Sequence, residues 1–175
     1  MSRKTRILTL SSLFAAISFV TLYFSSVWPT GRFGLAAFSS LFTVAAVIEA
    51  GLSPGLYIYV ICSALGVLLL PDKSAPLLYA LFFGYYPVIK SLIERIRPTA
   101  LQWILKLFVF NAALTIIWFF LRSLVFGFGG QVPGALLIYA GCNIIFVLFD
   151  YGLSKAIGYY ITNVSRIRKR TRNRD

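Results

Sequence analysis

The chain contains no histidine, and only five of its 175 residues are carboxylates: Glu49, Asp72, Glu94, Asp150 and Asp175. Without imidazole it loses the usual general base, the commonest metal ligand and any histidine-ligated haem. Its two cysteines, Cys62 and Cys142, fall inside apolar runs without CxxC spacing, which supports neither a disulfide framework nor a zinc site. There is no GxxxxGK[ST] phosphate loop, and no clear Ser/His pair, aspartate pair or metal cluster for a membrane protease or phosphotransferase. The expectation is a protein of recognition or transport, not an enzyme, with no metal and no cofactor.

Apolar residues fill the space that charge leaves. They make up 59% of the chain against 13% charged, and the mean hydropathy is +0.83. A soluble domain is ordinarily 45 to 50% apolar and about a quarter charged, so this composition belongs in a bilayer. Six spans of about 20 residues would use about 120 and leave about 55 for loops and tails, too few for a second soluble domain. Long apolar runs bounded by Pro, Gly or charge place the spans at 7–28, 34–51, 55–71, 75–91, 100–125 and 133–156. The expected fold is an all-α integral membrane protein: one six-helix domain over 1–165 and a basic tail over 166–175. The first run follows Arg3, Lys4 and Arg6, has no small-residue cleavage site and ends in Trp28-Pro29, which marks a retained span rather than a cleaved signal.

The net charge of +12 is a topology signal once its location is considered. Six spans put both termini on one side. Fourteen basic residues then share that side (Arg3, Lys4, Arg6, Lys90, Arg95, Arg97, Lys106, Lys155 and the six from Arg166 to Arg174), and three, Arg32, Lys73 and Arg122, lie towards the other. By the positive-inside rule both termini are cytoplasmic and the protein sits in the plasma membrane, its basic ends near anionic headgroups. No aromatic-interleaved platform accompanies the charge, so nucleic acid is not an expected partner.

Gly51-Leu52-Ser53-Pro54-Gly55 reads as a tight cytoplasmic turn in which Gly permits positive φ and Pro blocks helix continuation. Pro87, near the inner end of the fourth span, removes a backbone donor that neighbours must offset. Beyond the sixth span Ile157, Tyr160, Ile161 and Val164 recur at helical spacing, so the last helix is expected to leave the membrane and lie partly in the headgroups.

Polar side chains inside a bilayer are costly and therefore informative. Lys106 and Asp150 each lie about six residues, roughly 9 Å, from the cytoplasmic ends of their spans, an equality of depth that predicts an ion pair between them. Glu49 closes the second span, where Lys90 or Arg95 would neutralise it. Towards the outer side stand Arg32, Asp72, Lys73, Gln131 and Arg122, then Tyr79, Trp118, Tyr139 and Asn143, with Asn111 near the midplane. Aromatic walls with a few polar groups describe a pocket for a small polar molecule. The same residues also fit an interfacial aromatic belt and an Asn111–Asn143 hydrogen bond between helices. On the first span Ser11 with Ala15, and Ser12 with Ala16, form a small-residue stripe suited to close helix approach, whether within the bundle or with a partner.

A basic N-terminus, Leu8-Thr9-Leu10-Ser11-Ser12-Leu13-Phe14-Ala15-Ala16, six short-looped spans and a basic tail together resemble the substrate-binding S components of energy-coupling factor (ECF) transporters. The resemblance implies capture of a vitamin or similar small molecule from outside, and uptake driven by a T-type membrane subunit and two ATPase subunits. It implies that Ser11, Ser12, Ala15 and Ala16 stand where the family's AxxxA docking contact lies, with Ser in place of the first Ala. It also implies a ligand site under the outer loops carrying Arg32, Asp72 with Lys73, and Gly129 to Gln131. The lack of His separates the chain from the nickel and cobalt branch. Residues 77–87 and 90–94 are similar to a stretch of membrane proteins from Gram-positive bacteria. The size and helix count also resemble the MreD-type scaffold proteins of cell-wall assembly, which would need no ligand pocket.

Overall fold

Among the described residues every regular element is a helix, as a chain with long apolar runs and no water to satisfy open backbone groups requires. The computed structural model describes residues 3–28, 30–125 and 134–172, with the side chains of 4–28, 30–119, 134 and 136–163. The order is α1 (Arg3–Val27), α2 (Arg32–Ala50), α3 (Leu52–Leu69), α4 (Ser74–Leu78), a π-helical turn (Tyr79–Phe83), α5 (Tyr86–Ile93), α6 (Thr99–Val125) and α7 (Ala135–Arg172). Among the described residues six stretches are long and apolar enough to cross a membrane: Lys4–Val27, Arg32–Ala50, Leu52–Leu69, Ser74–Ile93, Thr99–Phe119 and Leu136–Asn163. Consecutive crossings alternate, so the start of α1, Gly51 and residues 94–98 share one end of the bundle, called here the terminal end. The α1–α2 connection and residues 70–73 share the far end.

Several expected boundaries move. The turn between the second and third spans shrinks to Gly51 alone, at φ 106°, whose N–H closes α2 on the carbonyls of Ala46 (3.2 Å) and Val47 (3.1 Å). Pro54 does not stop the chain there but lies in the first turn of α3, where its missing N–H has no partner to lose. At Gly55 an added Cβ would stand 2.3 Å from a Val47 side-chain carbon, so glycine permits the close return of α3 on α2.

The fourth span is built from three pieces. At the π-helical turn the Gly84 N–H reaches back five residues to the Tyr79 carbonyl (2.7 Å), and α5 restarts with Pro87 in its first turn. The Ala80 carbonyl, which Gly84 would serve in a regular helix, accepts instead from the Tyr59 hydroxyl at 3.0 Å. Half of this span is buried, against 11% of the windows in α1 and α6, which makes it the hub of the bundle. Its first part joins a core of Leu22, Ala36, Ala46, Ile58, Cys62, Leu70, Ala75 and Tyr79 with α1 to α3. Its second part joins Val44, Ala113, Phe146 and Leu153 through Phe82 and Tyr86. Phe110 and Phe146 stack there at 4.4 Å, with Phe82 edge-on to both at 5.3 and 5.9 Å.

Most buried residues of α1 and α2 are small, Ser18, Ser25 and Ser26 on α1 and Ala36, Ser39, Ser40 and Ala46 on α2, and the Ser18 hydroxyl crosses to the Ser39 carbonyl at 3.2 Å. In lipid, where apolar burial gives little drive between helices, such small residues allow the close backbone approach that stabilises the pair. Exposed Leu and Ile side chains, including Leu136 (84%) and Leu137 (77%), suit an acyl-chain environment. α7 runs unbroken through residue 165 to Arg172, so helix continues into the basic tail. Its 38 residues span about 57 Å, nearly twice the ~30 Å hydrocarbon core.

Candidate functional site

Among the residues whose side chains the structure describes, the sequence-predicted site residues stand in three groups. At the far end the Arg32 guanidinium pairs with the Asp72 carboxylate. Asp72 Oδ1 accepts from the Ser74 N–H (3.0 Å) and hydroxyl (2.9 Å) at the start of α4, while its backbone N–H and carbonyl both meet the Ser26 hydroxyl at 3.0 Å. These bonds fasten the end of α1, the start of α2 and the turn into α4. The Ser74 N–H is the largest influence and holds the Asp72 carboxyl below its ordinary value of 3.8; burial opposes it, and the Ser74 hydroxyl and Arg32 add to the lowering. Lys73 turns away from this group and donates to carbonyls at the end of α3, Leu68 at 3.3 Å and Leu70, the residue just past the helix, at 2.6 Å.

Tyr79 is fully buried at the first core. Its hydroxyl lies 3.0 Å from the Thr43 hydroxyl and 3.5 Å from that of Ser18, which in turn donates to the Ser39 carbonyl at 3.2 Å. It thus ties the π-helical turn to α1 and α2, apart from Trp118, Tyr139 and Asn143.

Those three form a seam between α6 and α7. Asn111 and Asn143 exchange amide hydrogen bonds at 2.9 and 3.0 Å, and each amide also donates to the carbonyl four residues back on its own helix. The Tyr139 hydroxyl donates to Thr115 (3.1 Å), and its ring meets Trp118 edge-on at 6.2 Å. Asn111, Trp118, Tyr139 and Asn143 remain half-buried, and Thr115 is exposed. Asn111 stands twelve residues into α6, roughly 18 Å along it. Arg122 lies on α6 with its side chain outside the described residues, as does the whole segment containing Gly129 to Gln131.

The docking stripe of α1 divides. The Ser11 and Ser12 hydroxyls bond the carbonyls four residues back, Ile7 at 2.8 Å and Leu8 at 3.0 Å. Ala15 packs against the first core, where the Cys62 thiol reaches its carbonyl at 3.5 Å; Ser12 and Ala16 are exposed.

The densest polar cluster includes two residues whose pairing the sequence did not reveal. Lys106 does bond Asp150 (3.0 Å to Oδ2), but Lys90 bonds the other Asp150 oxygen rather than Glu49. Glu94 Oε1 accepts from both lysines, at 2.9 Å from Lys90 and 2.8 Å from Lys106, closing a ring of alternating charge. Tyr86 donates to Asp150 at 2.6 Å, and Lys90 to Ser154 at 2.8 Å. Burial pushes the Glu94 carboxyl up, and the two ammonium groups more than reverse this, leaving it below its ordinary 4.5. The sequence signal for this cluster is local: Tyr86, Lys90 and Glu94 are spaced by four, as are Asp150 and Ser154.

Compared with protein-family models, curated proteins and solved structures, the chain matches none. The helices define it at a coarser level: the described residues are all-helical, with six apolar helices as in a multi-pass membrane protein.

Proposed function

We propose that the protein is a plasma-membrane capture subunit, with both termini cytoplasmic, that takes a small polar molecule from outside and passes it to an ATP-driven energising module of the ECF type. The orientation rests on the fourteen-to-three distribution of basic residues. The observation that carries the capture reading is the α6–α7 seam: an amide pair and two aromatic side chains stay half-open at membrane depth. A polar row left open there is costly in lipid and is stabilised when a polar ligand fills it. Trp118, Tyr139 and Asn143 line it, with Arg122 one helical turn further along α6; Arg32, Asp72 and Lys73 belong to the far-end rim.

The scaffold reading has its own support, since Asn111 with Asn143 and Arg32 with Asp72 already satisfy one another. Mass spectrometry of small molecules retained by the purified protein separates the two readings. Capture predicts a polar compound held by the native chain and lost from Trp118→Ala and Asn143→Ala variants that remain folded. An identical profile from all three proteins contradicts it.

A further inference from the structure

Glu94 is the exceptional member of the charge ring. Asp150 divides its partners between two oxygens, whereas Glu94 receives both ammonium groups on Oε1. Its side chain is 38% exposed, against 1%, 5% and 2% for Lys90, Lys106 and Asp150. Glu94 therefore occupies, as a tethered anion, the open side of a two-lysine site that Asp150 closes from within.

The setting of that opening is specific. Glu94 is the first residue beyond the fourth span, Ser74–Ile93, and so stands at the hydrocarbon boundary, where lipid phosphates lie. Arg95 and Arg97 follow in the same turn, both exposed, and bring two further cations to the end of the span beside the two lysines. Beside them α6 exposes Trp103 (37%) and, deeper along the same helix, Ile104 (62%) and Phe108 (71%), and the Lys106 ammonium sits 5.4 Å from the Trp103 ring centroid. An indole at headgroup level, an apolar strip below it and an excess of cation above it match the parts of an anionic phospholipid.

We propose that the Glu94 turn is a binding site for an anionic phospholipid, whose phosphate takes the place of the Glu94 carboxylate on Lys106 and Lys90 while Arg95 and Arg97 hold its rim. The acyl chain lies along Trp103 and Ile104. A dianionic or diester phosphate offers several acceptor oxygens to the four cations, where Glu94 uses one. This site depends on the membrane setting and not on capture of a ligand at the far end.

The test is thermal unfolding of the full chain in nanodiscs of phosphatidylcholine, of phosphatidylcholine with phosphatidylglycerol, and of phosphatidylcholine with inorganic phosphate in the buffer. The expected result is a midpoint higher by about 5 °C with phosphatidylglycerol only. Arg95→Gln with Arg97→Gln, two changes at the surface, should remove at least half of that rise. Glu94→Gln, which removes the competing carboxylate and leaves Asp150 in place, should enlarge it. Equal midpoints in the two lipids, or a rise indifferent to the arginine changes, would overturn the site. The full rise from inorganic phosphate in phosphatidylcholine would overturn the lipid as its source and assign the same cations to a soluble phosphate.

Discussion

Asp72 connects three helices, since its half-buried side chain meets Arg32 of α2 and Ser74 of α4 while its backbone meets Ser26 of α1. Its carboxyl lies below the ordinary 3.8 in the folded protein. A depressed folded value contributes stability that is fully present above the unfolded value and is lost as pH falls through the folded one. Thermal midpoints in detergent should therefore fall in acid below about pH 4, and Asp72→Asn should be less stable than the native chain at pH 7 with part of that acid-dependent loss removed. A native chain and variant with superimposable pH profiles would show that the carboxylate contributes nothing to the fold. Lys106 and Asp150 show what single residues disclosed in the sequence: two opposite charges at matched depth on antiparallel neighbours have few other places to go. Glu94 carries no such signal, because its residue number places it just outside the membrane, where a carboxylate needs no explanation.

At the level of elements, the spans were legible because apolar runs of this length have few alternatives, and the differences arise where helices are irregular. Lys90 illustrates the cost of one such irregularity. In an unbroken helix it would follow Tyr79 by eleven residues, about 20° from the same face, and point with it towards α2, where Glu49 resides. The π-helical turn at Tyr79–Phe83 inserts a residue and the helix restarts at Tyr86, so the downstream face rotates by roughly 100° per added residue. Lys90 then meets Asp150 and Ser154 of α7. No local propensity announces that turn: Gly84 is compatible with it because an added Cβ would lie 2.6 Å from the rings of Tyr59 and Tyr79, a contact visible only in the packed bundle. The α6–α7 seam offers a direct measurement. In a double-mutant cycle, Asn111→Ala and Asn143→Ala should couple by about 1 kcal/mol, the sum of two interhelical hydrogen bonds at their usual strength in membranes. Strict additivity of the two changes would mean that the reciprocal amide pair does not hold the helices together.

Across the whole molecule, the two ends have different characters. The far end is a web of short-range polar ties around Arg32, Asp72 and Ser26, and the terminal end gathers basic residues around a closed charge ring from which α7 continues to Arg172. The described members of the expected pocket stand on a rim, at a buried Tyr79 node and along a seam, because residues at similar depth on different helices share a level without sharing an azimuth, and depth fixes the level alone. Exposed Ser12 and Ala16 leave one small-residue strip of α1 available for another membrane helix, and inward-packed Ala15 assigns its neighbour to the bundle. Capture followed by energised release needs partners, which makes association the central test. The tagged protein should be isolated from its native membrane in mild detergent and its companions identified by mass spectrometry. The account predicts two ATPase subunits and a T-type membrane protein in constant proportion to the chain. Recovery of cell-wall assembly proteins without any ATPase would contradict capture and favour the scaffold.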